Sequence, residues 1–159
     1  MKLYLCLISS LFLSLGTADT SDSHLPIILP APTNIEVQLS ISSDSQVSVS
    51  ITNVGEALIK DVAHPLEYVG ATSFLVTDQY GNLVKPEGLA KINPRKGLIN
   101  LPVKKTSYFK LNSLRFISGT GLFEYKLTKG KQYRIIAVYR PSGFNGPGFC
   151  SKEIVHVHK

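Results

Sequence analysis

The sequence predicts an all-β fold, a single immunoglobulin-like Greek-key β-sandwich of about seven to nine strands. Three observations carry this expectation. Apolar and polar residues alternate with period two in several runs, which puts aliphatic side chains on one face of a strand and hydroxyl groups on the other. Clusters of Gly, Pro, Asn and Asp separate these runs at short intervals. No stretch after the amino-terminal apolar run shows a helical repeat. The 159 residues, 43% of them hydrophobic, suffice for one domain with a real core.

The first residues are read apart from that fold. Lys2 precedes an apolar run from Leu3 to Leu15, and Gly16, Thr17 and Ala18 supply small residues for cleavage. This three-part layout predicts a secretory signal peptide over 1–18 and a secreted, extracellular product without a transmembrane anchor, since the run is too short to span a bilayer. Residues 19–33 form a Pro-rich lead-in, where Pro26, Pro30 and Pro32 favour extended backbone and suit a sheet edge. The sandwich is expected over 34–159.

Within it, Ile35, Val37, Leu39 and Ile41 alternate with polar residues, as do Val47, Val49 and Ile51. Ser43, Asp44 and Ser45 between them predict the turn of a hairpin. Residues 57–62 read as a third strand, and 64–72 as a loop crossing between sheets. Phe74 and Val76 mark a strand over 73–78, followed by a turn at 79–82 and a return at Leu83 and Val84. Residues 85–105 read as irregular. A strand near Tyr108 follows, then one over 122–127 with Phe123, Tyr125 and Leu127 on one face. A hairpin turn at 128–131 leads into Tyr133, Ile135, Ala137 and Tyr139, the clearest late strand. A loop over 141–148 and a terminal strand over 153–158 complete the chain.

Charge is distributed unevenly. The formal net charge is +6. From Asp19 to Val84, Lys60 stands alone against eight acids. From Lys85 onward, fifteen Lys and Arg face only Glu87, Glu124 and Glu153. This asymmetry implies either pairing across the fold or a basic surface for an acidic partner. Leader removal takes Cys6 and leaves Cys150 as the single cysteine, which excludes an intramolecular disulfide and leaves Cys150 buried and inert, capped, or paired with another chain, a disulfide-linked homodimer among the options.

The segments Val47 to Gly55 (VSVSITNVG), Thr72 to Asp78 (TSFLVTD), Gly81, Val84, Gly88 to Pro94 (GLAKINP), Gly121 to Tyr125 (GLFEY) and Tyr133 together resemble the non-catalytic β-sandwich that precedes the protease domain in deuterolysin-type, peptidyl-Lys metalloendopeptidases. The resemblance spans roughly residues 35–140 and implies a sandwich in a protease-associated setting. It carries no catalytic residue over, because His-Glu-x-x-His, the zinc-binding helix motif, is absent from this sequence. A bacterial proteinase inhibitor has a broadly similar sandwich pattern, which implies a protease-inhibitory role as an alternative.

Three sets of residues are singled out for function. Lys91, Arg95, Lys96, Lys104, Lys105, Lys129, Lys131 and Arg134, with Lys126 beside them, are expected to form a basic face for an acidic protein, a polyanionic glycan or a lipid surface. Phe144 and Phe149 are expected as exposed aromatics of a binding loop. His156 and His158 lie two apart on a strand and project from one face, which could offer two ligands to copper or zinc, with His24 or His64 as a third. No nucleophile–base pattern is found, no cofactor is implied, and nucleic acid is not an expected partner. The sequence therefore favours a non-enzymatic binding module over a protease-associated domain or a metal binder.

Overall fold

The computed structural model describes residues 34–42, 46–93 and 96–159. The expected leader, the lead-in and the turn at 43–45 lie outside the described residues. The described chain is all-β and forms twelve strands: β1 (Ile35–Ile41), β2 (Val47–Asn53), β3 (Ile59–Ala63), β4 (Thr72–Asp78), β5 (Glu87–Lys91), β6 (Leu98–Leu101), β7 (Thr106–Leu111), β8 (Arg115–Ser118), β9 (Gly121–Glu124), β10 (Gln132–Tyr139), β11 (Phe149–Cys150) and β12 (Ile154–Val157). A single 3-10 turn covers Gly143–Asn145. Among the described residues no helix is long and apolar enough to cross a membrane.

Every pairing is antiparallel. One sheet has the order β1-β2-β7. In the second, β10 pairs with β4 on one side and with both β11 and β12, laid end to end, on the other. A ribbon of β3 and β6 and a small sheet of β5, β9 and β8 complete the arrangement.

Alternation explains the two main sheets. In β1 and β2 the residues Ile35, Val37, Leu39, Val47, Val49 and Ile51 are buried, and Val37 stands opposite Ile51. In β10 the buried set is Tyr133, Ile135, Ala137 and Tyr139, with Val76 and Phe74 of β4 opposite Ile135 and Ala137. These inner faces meet, with β1 lying across β10 and β11. Ser151 joins β11 to β12 without breaking the ladder. Its N–H donates to the Ala137 carbonyl at 2.8 Å, and its hydroxyl accepts the Ala137 N–H at 3.0 Å.

Three buried polar groups tie the smaller elements to this core. Asn53 is fully buried, and its amide donates to the carbonyls of Ala57 and Leu101, both at 2.8 Å, while its oxygen accepts the Gly55 N–H. The Tyr139 hydroxyl donates to the Ala63 carbonyl at 2.8 Å, and the Tyr125 hydroxyl to that of Phe74 at 2.6 Å. Burial raises the pKa of both phenols, which keeps them protonated as donors.

Several expectations are corrected. The strand number exceeds seven to nine, because residues 85–105 hold β5 and β6, and β8 was not anticipated. β5 is exposed along its length and interrupted by a register shift, so it lacks the alternation that marks a half-buried strand. The strand expected over 122–127 stops at Glu124. The turn at 128–131 joins no hairpin, since β9 pairs with β5 and β8 rather than with β10.

Tyr139→Phe leaves the Ala63 carbonyl without its partner and is expected to lower the unfolding free energy by about 1–3 kcal/mol. Ile51→Ala, at a fully buried position, is expected to cost about 2–5 kcal/mol. Urea unfolding followed by tyrosine fluorescence measures both.

Candidate functional site

At one end of the fold, β1 and β2 meet the end of β12 at a cleft. Ile41, Val47, Leu114 and Leu127 supply its apolar wall, and Asn112, Ser113, Glu124, Lys126, His156 and His158 its polar groups. Its volume is about 210 Å³. Sites for drug-sized ligands start near roughly 300 Å³, so this one suits a single small group of a larger partner.

Glu124 organises the cleft. It ends β9 with its side chain nearly closed from solvent. Arg115 Nε of β8 donates to one carboxylate oxygen at 2.8 Å and Lys126 Nζ to the other at 2.6 Å. The Lys126 ammonium, with the Arg115 guanidinium, outweighs desolvation and holds the carboxyl at about 2. Glu124 is thus a fixed anion already neutralised by two cations. As the only acid between Glu87 and Glu153, it carried a signal that composition alone did not exploit.

His156 and His158 turn toward the cleft while Val155 and Val157 face solvent. The two imidazoles lie 5.9 Å apart, centroid to centroid. Burial, then the charges of His158 and Lys159, lower the pKa of His156, and the His158 Nδ1 is enclosed without a hydrogen-bond partner. Among the described residues no group of three His, Cys, Asp or Glu could hold an ion. His64 packs edge-on against Phe109 at 5.2 Å, its Nδ1 accepting the Leu66 N–H, and His24 lies outside the described residues.

The expected basic face is divided. Lys91, Lys96, Lys104, Lys105, Lys129, Lys131 and Arg134 are all exposed, and Arg95 lies outside the described residues. The turn bearing Lys129 and Lys131 is tied beside the cleft, because the Gly130 N–H donates to the His158 carbonyl at 2.7 Å and the His158 N–H to that of Lys131 at 3.0 Å. Lys104 and Lys105 sit at the opposite end, where the Lys104 N–H donates to the Asn53 carbonyl and its ammonium to that of Val54. The seven-residue strand β2 separates the ends by about 20 Å. Arg134 stands on the outer face of the second sheet between Thr77 and Val155. Charge repulsion and the two-ended topology keep these cations apart, which sequence spacing does not reveal.

Pairing across the fold does not neutralise the lysines. Among the described residues the ion pairs are those of Arg115 and Lys126 with Glu124. Asp78, whose carboxyl feels the charge of Lys131, spends its carboxylate on the turn, accepting the N–H groups of Tyr80 and Asn82 at 2.9 Å.

The aromatic loop is corrected in part. Phe149 is a core residue at 8% exposure, whereas Phe144 is 55% exposed. One face of the Phe144 ring covers Gly70, whose φ of +70° and 2.7 Å approach leave no room for a Cβ. Cys150 is half-buried on β11 opposite Val138. Comparison with family models, curated proteins and solved structures finds no match to this chain.

Because the Glu124 carboxyl titrates at about 2 in the fold rather than near 4.5, its stabilisation is complete above about pH 5 and is lost as pH falls through that window. Glu124→Gln is expected to flatten the acid limb of stability between pH 5 and 2 and to cost about 1–2 kcal/mol at pH 7, the exposure of both partners limiting the effect. Urea midpoints measured across that range test it.

Proposed function

We propose that this chain is a secreted, non-enzymatic binding module, an immunoglobulin-like sandwich that engages an acidic partner through the basic rim of the cleft. One observation carries the reading. Lys126, Lys129 and Lys131 border a cleft that also presents His156 and His158, and the single carboxylate inside it is already matched by Arg115 and Lys126. Added positive charge there has no internal counterpart, so it raises the local potential for anions. A sulfated or carboxylated glycan fits best, because the cleft admits one small group while the flanking lysines track a repeating charge. Secretion rests on the layout of residues 1–18, and the protease-associated alternative rests on the sequence resemblance alone.

On a heparin column at neutral pH, the chain is expected to elute well above 0.15 M salt. Lys129→Gln with Lys131→Gln is expected to shift elution to markedly lower salt, while Lys104→Gln with Lys105→Gln leaves it nearly unchanged. Passage of the wild-type chain without retention, or equal loss in both double variants, counts against the reading.

A further inference from the structure

We propose that the outer face of the sheet formed by β4, β10 and β12 docks this chain on an anionic lipid surface. The face is distinct from the cleft, because Val155 and Val157 point outward from β12 while His156 and His158 turn the other way.

Register defines the face, since residues directly opposite one another in an antiparallel pair share a side. Leu83, Thr77, Arg134 and Val155 form one row across it. Leu75 and Ile136 form the next, Ser73 and Val138 a third, and Gln132 with Val157 closes the far end. Leu83, Val155 and Val157 are 63%, 58% and 50% exposed, and Leu75, Ile136 and Val138 are half-buried. An antiparallel sheet with one wet face normally keeps polar residues on it. The β1-β2-β7 sheet obeys this rule, as its outer row of Gln38, Ser50 and Tyr108 shows. The β10 sheet does not, and a contiguous exposed aliphatic face marks a contact surface.

Charge and size decide what meets it. Arg134 stands in an inner row of the face, and the Arg140 guanidinium reaches over one end, its Nη1 donating to the Ser73 hydroxyl at 2.9 Å. Lys131 precedes Gln132 at the other end, and the exposed Lys152 lies between β11 and β12. The acids beside these cations are Asp78, bound into its own turn, and Glu153. A second copy laid face to face would set cations against cations. The face also spans only about 14 Å across the strands and 20 Å along β10, roughly 300 Å², against the roughly 800 Å² per partner of a stable protein interface. A lipid surface requires no such area. Its acyl boundary receives the aliphatic side chains and its headgroups the cations, whose long stems lie along the apolar face while their charged ends stay in water.

The test is co-sedimentation of the chain beginning at residue 19, the secreted form proposed above, with phosphatidylcholine vesicles containing roughly a third phosphatidylserine. The wild-type chain is expected to pellet with them and to pellet much less with phosphatidylcholine alone. Leu83→Ser combined with Val155→Ser and Val157→Ser, all at exposed positions, is expected to lower the partition coefficient on the order of tenfold and to leave elution from heparin unchanged. Heparin retention reads the cleft rim and this variant alters only aliphatic side chains, so either result can fail without the other. A wild-type chain that stays in the supernatant overturns the proposal, as does equal binding to the two vesicle types. Equal partition of wild type and variant would assign the attraction to the lysines alone and also overturns it. A dimer in sedimentation velocity that the triple variant dissociates would give the face to a second copy instead.

Discussion

The single core shared by the inner faces of β1 and β2 on one side and β4 and β10 on the other governs the rest of the molecule. Val47, Val49 and Ile51 on one side and Tyr133, Ile135, Ala137 and Tyr139 on the other are buried nearly completely. Period-two alternation makes a one-residue slip in either strand prohibitive, since it would put every one of these side chains into water. With that register fixed, the positions of the turns follow. The Asn53 amide at one end of β2 gathers the backbone around Ala57 and Leu101, and Val47 at the other end opens onto the cleft. The two ends acquire different chemistry from a single strand.

That difference organises the electrostatics. At the Asn53 end, a lysine with positive φ, Lys104, is held by backbone bonds and donates its ammonium to a carbonyl. At the cleft end, two cations converge on Glu124, which holds β8 and β9 against the core and lets Lys129 and Lys131 stand without a carboxylate partner. A neutralised anion inside and free cations outside is an arrangement that attracts negative charge without drawing the lysines inward. Screening by salt weakens the attraction without touching the enclosed pair to the same degree.

Much of the core was legible from residues alone. The buried sets in β1, β2, β4 and β10 coincide with the alternating runs, because a strand with one wet face writes its pattern directly into the sequence. The elements that escaped, β5, β6, β8 and β11, are short, and β5 is exposed throughout. The site was less legible for a related reason. His156 and His158 were found because they share one strand. Arg115 and Glu124 were not, because topology rather than spacing brings β8 and β9 to the cleft. The described basic residues of the expected face are exposed, yet their division between two ends depends on where β2 starts and stops. Phe149 misled because a Gly-rich loop suggests exposure, whereas the strand that follows carries the ring inward.

The cleft end of the fold is the surface proposed to meet anions. Titration of the isotopically labelled chain with a sulfated oligosaccharide, followed by amide chemical shifts, measures this residue by residue. Shifts concentrated at Lys126–Lys131 and His156–Lys159, and suppressed by salt, are the predicted result. Shifts centred on Pro102–Thr106, or none at a ligand excess that saturates other heparin-binding proteins, would contradict it.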